Sequence, residues 1–237
     1  MNDSFKNKVV VITGSASGIG KGIKEAFLNE GAIVCGIDLL PTEYYQGDIS
    51  KQEDLDTFVN KILNAYENID YLINNAPPLF EGIDNTSYEA FNQSLLIGLS
   101  APYYLCKAFR EHFNKDACII NISSTRSKQS MANTEAYSAA KGGLDALTHA
   151  LAMSLAGKVR VNAISPGWID THDSNLSLLD NKQHPVKRVG KVEDISNLVL
   201  FLCSEKASFI TGENIVVDGG MSKQMIYHDE HGWTYHE

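Results

Sequence analysis

Short, nearly uninterrupted apolar runs alternate with longer amphipathic stretches along most of this chain. The runs are KVVVIT (8–13), AIVCGID (32–38), DYLINN (70–75), ACIINIS (117–123), VRVNAIS (159–165) and ENIVVDG (213–219). They are rich in Val and Ile and lack the strict alternation of a strand with one wet face. They predict strands covered on both sides, as in a parallel sheet. Between them, 18–30, 51–66, 87–113, 134–156 and 192–204 read as amphipathic helices, and YYQGDIS (44–50) predicts one further short strand. The fold class expected is therefore α/β, a Rossmann-type doubly wound, seven-stranded and mostly parallel sheet with helices on both faces. Only LLPTEYYQG separates Asp38 from Asp48. That is too little for a crossover helix, so a loop is expected there.

No internal repeat, low-complexity tract or linker interrupts the pattern, and 1–237 reads as one domain with an aperiodic tail over 222–237. With 43% hydrophobic and 21% charged residues the composition is that of a globular protein. The net charge of −9 disfavours nucleic acid and anionic membrane surfaces as partners. The first residues run from a polar start into a short apolar run without a secretory h-region, and no apolar stretch has membrane-spanning length. Cys35, Cys106, Cys118 and Cys203 are scattered through apolar segments with no CxxC pair. They read as reduced core residues, and the expected compartment is the cytoplasm.

TGSASGIG (13–20) closes the first predicted strand and opens the first helix. Gly14, Gly18 and Gly20 miss the GxGxxG spacing, and glycines also serve tight turns for geometry alone. Yet small residues at a helix N-terminus let backbone N–H groups meet a pyrophosphate. Asp38 ends the second strand, where a carboxylate can accept from ribose hydroxyls and would repel a 2′-phosphate. No Arg or Lys lies in SASG or directly after Asp38 to compensate. NAD is the cofactor expected.

In EAYSAAKGG (135–143), Tyr137 and Lys141 are one helical turn apart and share a face. A core tyrosine beside a snorkelling lysine is the plain structural reading. Beside a dinucleotide the pair gains another meaning. A lysine charge roughly 5 Å from the phenol, at an effective dielectric of about 20, favours the phenolate by about 3 kcal/mol. Such a phenol can exchange a proton with an alcohol or ketone. Ser124, at the end of the strand in ACIINISS, could hold the substrate oxygen, although capping or turn formation is the usual work of a strand-end serine.

Together these motifs resemble the short-chain dehydrogenase/reductase superfamily over nearly the whole chain. TGSASGIG is similar to its TGxxxGIG loop, GDIS to its adenine segment, NNA (74–76) to the start of NNAG, and INISS with YSAAK to its Ser–Tyr–Lys site. SPGWIDT (165–171) resembles its PGxxxT segment, and GKVEDISNLVLFLCSEKASFITGENIVVDGG its C-terminal region. The resemblance implies an NAD-dependent oxidoreductase that interconverts a secondary alcohol and a ketone. Tyr137 would be the acid/base, Lys141 its neighbour on the nicotinamide ribose, and Ser124 the group orienting the substrate oxygen. Cofactor contacts would come from Gly14, Ser17, Gly18, Ile19, Gly20, Asp38, Asp48, Ile49, Asn75, Ala76, Tyr137, Lys141, Pro166, Gly167, Ile169 and Thr171. Two departures stand out: NNAG reads NNAP, with Pro77 and then Pro78, and the position where many members carry a relay Asn is Gly98. They motivate an alternative, a catalytically weak NAD-binding or regulatory protein on the same fold.

The substrate is expected to be a small hydroxy or oxo compound, with Arg126 and Trp168 as candidate contacts. Arg126 could pair with a substrate anion or, as a surface residue, with Glu135. His172 and His184 read as solvated loop histidines. The tail's His228, His231 and His236, with Asp229 and Glu230, lack a spacing that fixes a metal, and no metal is expected. The helix holding Tyr137 is small or apolar on several faces, at Ala139, Ala140, Gly142, Gly143, Leu144, Leu147 and Leu151. This predicts a homo-oligomer, and the resemblance implies a dimer or, more usually, a homotetramer.

Overall fold

In the computed structural model, residues 5–230 and 232–234 are described; His231 and His236 of the tail lie outside them. The strands are β1 (Val9–Thr13), β2 (Ile33–Asp38), β3 (Tyr45–Gln46), β4 (Ile69–Asn74), β5 (Phe113–Ile122), β6 (Val159–Pro166), the short pair β7 (Ile169–Asp170) and β8 (Gly190–Lys191), and β9 (Asn214–Val217). Seven of them form one sheet in the order β3-β2-β1-β4-β5-β6-β9, and every pairing in it is parallel. The central strands β1 and β4 are buried at every residue. This explains why their sequences run apolar without alternation.

Helices cover both faces. α1 (Gly18–Asn29) and α7 (Val192–Cys203) pack on one side, burying Ile23, Phe27, Ile195, Val199 and Leu202 against Ile12, Ile73 and Ile120. On the other side lie α2 (Gln52–Ala65), α3 (Tyr88–Leu95), α4 (Ala101–Ala108) and α5 (Glu135–Ser154), while α6 (Leu178–Lys182) is a single turn outside the sheet. Each fully buried Ile or Phe contributes about 1.5–3 kcal/mol by leaving water, so these two layers supply the main drive for the fold.

Three expectations need correction. The helix read over 87–113 is α3, a π turn over Leu96–Ser100, α4 and a 3₁₀ turn, and β5 starts at Phe113 instead of 117. Apolar periodicity cannot see a π turn, because one inserted residue leaves the neighbouring helical pattern intact. The strand read over 44–50 is only two residues long, and the loop from Asp38 to it carries no helix, as expected. β7, β8 and α6 had no legible pattern. Among the described residues no helix is long and apolar enough to cross a membrane.

The chain order reverses between β1 and β4, which opens a crevice at their carboxyl ends. Thr13 and Asn75 tie that point together. The Asn75 and Ala76 N–H groups donate to Thr13 Oγ1 at 3.0 and 3.1 Å, and Asn75 Nδ2 donates to the Thr13 and Gly14 carbonyls at 3.0 Å each.

Candidate active site

The glycine turn stands on one side of this crevice. Gly14 and Gly18 have φ of +69° and +51°, conformations that disfavour a side chain. A Cβ on Gly20 would lie 1.9 Å from the Gly14 carbonyl oxygen, so the turn closes only with glycine there. Ser17 occupies the N-cap of α1 without a side-chain capping bond, and no acidic residue sits in the first turn. The helix's first N–H groups and its positive end are therefore left for an anion. Ser15 Oγ is buried with no hydrogen-bond partner. The N–H groups at the start of α1 and the room its glycines leave fit a dinucleotide pyrophosphate, while Ser15 Oγ faces Gly36 of β2.

Asp38 reaches the same turn. Its carboxylate accepts the Ala16 N–H at 2.8 Å and the Leu40 N–H at 2.9 Å, fixing the end of β2 beside the glycines. Across the crevice, Thr171 packs on the turn: a Cβ on Gly18 would lie 3.5 Å from its Cγ2. Gly167 N–H donates to Val217 O at 2.9 Å, and Ile169 pairs with Gly190, which carries the chain from Pro166 to Thr171 over α1. A cleft of about 450 Å³ opens here, lined by Gly18, Lys21, Thr171, Arg188 and Lys191 among others. Asp48 and Ile49 follow β3. One Asp48 oxygen accepts both the N–H and the hydroxyl of Ser50, and the Ile49 side chain belongs to the core with Val11 and Ile37.

α5 carries the proton chemistry. Ala136, Ala140, Leu144, Thr148 and Ala152 are buried along one stripe and let the helix sit close to its neighbours. A polar ladder fixes it to the sheet: Asn74 Nδ2 donates to Asn121 Oδ1 at 2.8 Å, and Asn121 Nδ2 to Thr148 Oγ1 at 2.9 Å. Such a fully buried chain of partners specifies register as well as position.

Ser124, Tyr137 and Lys141 are brought together at the end of β5. Ser124 is buried, and its Oγ caps a 3₁₀ turn over Thr125–Ser127 by accepting the Arg126 N–H at 3.1 Å. The plain capping role is thus real, and the same hydroxyl also reaches Tyr137. Burial pushes the Tyr137 phenol above its usual value, while the Ser124 hydrogen bond and the Arg126 charge pull it down. Lys141 stands behind. Its Nζ is 5.6 Å from the Tyr137 ring centre and donates to the Ile122 carbonyl at 2.6 Å. Burial lowers this ammonium to about 8 against the partly restoring charge of Asp145. Without the cofactor Lys141 is turned onto the strand, and the groups that lower the phenol are Ser124 and Arg126.

Pro78, which follows the Pro77 departure, meets the departure at Gly98, while Pro77 itself is exposed. Pro78 is buried, and a Cβ on Gly98 would lie 3.1 Å from both its Cβ and Cγ, and 2.9 Å from Ala140 Cβ. Gly98 lies in the π turn, so no side chain can enter from position 98 while Pro78 fills the space.

Arg126 does not pair with Glu135, whose Oε2 accepts the Ile83 N–H at 2.9 Å. It lies instead over the Phe80 ring at 4.7 Å, and Phe80 meets the Tyr137 ring edge-on at 5.2 Å. Phe80 was not foreseen, since an aromatic after two prolines carries no distinguishing pattern. Trp168 is half-exposed, 6.2 Å between ring centres from His184. His172 is exposed as expected, but His184 is not a solvated residue: it is 1% exposed, its Nε2 has no partner, and Nδ1 lies 3.2 Å from the Asp180 carbonyl. It lies among Trp168, Gly219 and the end of α6, and that helix was invisible in the sequence. All four cysteines are buried and free.

Residues 14–222 match the family model described as enoyl-(acyl carrier protein) reductase. An uncharacterized oxidoreductase of Thermotoga maritima is 37% identical over 95% of this chain and all of its own. A SCOR enzyme from Clostridium thermocellum, solved in the apo form, superposes with a TM-score of 0.91 at 44% identity, with both chains covered completely. The ligand-free aldohexose dehydrogenase of Thermoplasma acidophilum gives 0.89 at 29% identity, covering 96% of this chain and 99% of that one. The chain belongs to the short-chain dehydrogenase/reductase family. It is an oxidoreductase of alcohols and ketones, and enzymes of this family work with a nicotinamide cofactor.

Proposed function

We propose that this protein is an NAD(H)-dependent dehydrogenase/reductase interconverting a small secondary alcohol and its ketone. The observation that carries the reading is the convergence of Ser124, Tyr137 and Lys141 at the carboxyl end of β5, across from the uncapped N-terminus of α1. When bound, the nicotinamide dinucleotide supplies or accepts the hydride. Gly14, Ser17, Gly18, Ile19 and Gly20 hold its pyrophosphate, Asp38 its adenosine ribose, and Pro166, Gly167, Ile169 and Thr171 border its nicotinamide half. Asn75 and Ala76 act by holding the glycine turn.

The Ser124 hydroxyl and the Tyr137 phenol are the two groups that would hold the substrate oxygen. In reduction Tyr137 gives its proton to the forming alkoxide; in oxidation it removes the alcohol proton. Lys141, freed from Ile122, turns its ammonium to the ribose and the phenolate. Preference for NAD follows from Asp38, since a 2′-phosphate there would face a carboxylate. Lys24, the nearby cation of α1, is held by Glu43 at 3.0 Å.

Turnover of NADH and NADPH, followed by nicotinamide absorbance, tests the proposal over small hydroxy acids, oxo acids, polyols, aldohexoses and 3-oxoacyl esters. Turnover with NADH on at least one small carbonyl supports it. Turnover confined to NADPH, or to acyl thioesters, overturns it.

A further inference from the structure

Arg126 is a charged side chain in the active site without a charged partner. Among the described residues no carboxylate lies within ion-pair distance of it. Its Nη1 is buried and has no hydrogen-bond partner, and its Nη2 meets only the Met131 sulfur at 3.0 Å, a weak acceptor. A guanidinium left this way costs free energy that an oxyanion would recover. Glu135, the nearest acid in sequence, is engaged by the Ile83 N–H instead.

Its placement is tied to the reacting groups. The Arg126 N–H donates to Ser124 Oγ, so the arginine's backbone is fixed by the hydroxyl that would hold the substrate oxygen. Its guanidinium and Tyr137 both pack on Phe80, at 4.7 and 5.2 Å. Stacking on an aromatic face orients the guanidinium plane. Its Nη2, met only by the sulfur of the exposed Met131 side chain, is the point at which an oxyanion would replace a weak acceptor. A single guanidinium balances one negative charge, which matches a carboxylate better than a dianionic phosphate.

We infer that Arg126 is the specificity residue of this site and binds the carboxylate of a small oxo or hydroxy acid, a few bonds from the carbon that exchanges hydride. This rests on the proposed alcohol–ketone chemistry, which it narrows to an anionic substrate.

The test compares acetoacetate and 2-oxobutyrate with their methyl esters, and dihydroxyacetone phosphate with dihydroxyacetone, using NADH as the co-substrate. In the wild type each acid should exceed its ester in kcat/KM. Arg126→Gln should reduce that acid-to-ester ratio about thirtyfold, chiefly through KM, with Arg126→Lys between the two. Melting temperatures confirm that the variants fold. An unchanged ratio overturns the inference even if ketones are reduced, and a dependence on Arg126 confined to the phosphate pair overturns the carboxylate. A second readout is independent of turnover: acetoacetate and 2-oxobutyrate are titrated into the Tyr137→Phe protein with NADH, with nicotinamide fluorescence as the signal. If no ketone is ever reduced, the hydride-transfer reading fails alone. The inference then stands if acid binding is lost on adding Arg126→Gln, and falls if the acids do not bind or bind equally well without the arginine.

Discussion

Pro78 stands where a side chain at Gly98 would go: a Cβ added at Gly98 would be 3.1 Å from Pro78 Cβ and Cγ. The proline and the glycine are thus reciprocal, and Ala140, at 2.9 Å, closes the third side on the helix that carries Lys141. Gly98→Ala should therefore destabilise by overpacking, about 1–3 kcal/mol, and Gly98→Asn by more. Because the displaced wall is α5, activity should fall further than stability alone requires. Pro78→Gly should soften the cost of Gly98→Asn, so that chemical denaturation of the four proteins gives a favourable coupling. Additive effects would show that the two positions are independent.

The same pair shows what sequence reading can and cannot supply. Both departures were visible as letters, and both looked like lost function when taken singly. Only the distance between Pro78 and Gly98 shows that these two are packed together, while Pro77 stays exposed. Most of the fold was legible because buried parallel strands and their crossover helices have different periods over many residues. Ser124, Tyr137 and Lys141 were legible for another reason: their spacing is set within one strand end and one helix turn. Phe80, the burial of His184 and the rotation of Lys141 onto Ile122 depend on contacts between segments far apart in sequence, and carry no local period.

Tyr137→Phe should abolish turnover, by about three or more orders of magnitude, since the ring still packs on Phe80 but has no proton to exchange. NADH binding, measured by fluorescence, should be largely kept. Residual activity above about a tenth of the wild type would remove Tyr137 from the acid/base role.

Lys141 makes a prediction in pH. Burial lowers its ammonium to about 8 from 10.5, so the free enzyme loses this charge as pH rises through about 8. The value of kcat/KM for NADH should fall through that point. For stability the sign is opposite. From about 8 to 10.5 the unfolded chain holds a proton that the folded one has shed, so the folded state gains relative stability as pH rises. The burial penalty is present in full below about 8. Relative to Lys141→Met, the wild type should gain roughly 3 kcal/mol in unfolding free energy between pH 7 and pH 11. A pH-independent difference would show that Lys141 stays charged when buried.

Asp38→Ala removes the acceptor beside Ala16 and the repulsion against a 2′-phosphate together. The ratio of kcat/KM for NADH over NADPH should fall at least tenfold, through a weaker NADH term and a stronger NADPH term. Adding a cation with Leu39→Arg should carry the ratio further toward NADPH, because Leu39 is exposed directly after the carboxylate. An unchanged ratio in Asp38→Ala would place cofactor selection elsewhere.

The outer face of α5 leads to a proposal about assembly. Ala139, Ala146, His149, Ala150 and Met153 are exposed, and a Cβ on Gly142 would meet only the Ser127 carbonyl, at 3.8 Å. Beside this face, Leu96 and Tyr103 are also exposed large side chains, at 43% and 52%. A face of mostly small residues, broken by His149 and flanked by apolar ones, suits the close approach of a second helix, and a second copy of α5 is the partner proposed. Sedimentation at micromolar concentration should give a dimer or tetramer. Ala146→Arg, which puts two like charges near the symmetry axis, should shift the protein toward monomer and lower its melting temperature. A wild-type monomer under the same conditions would leave the face without this role.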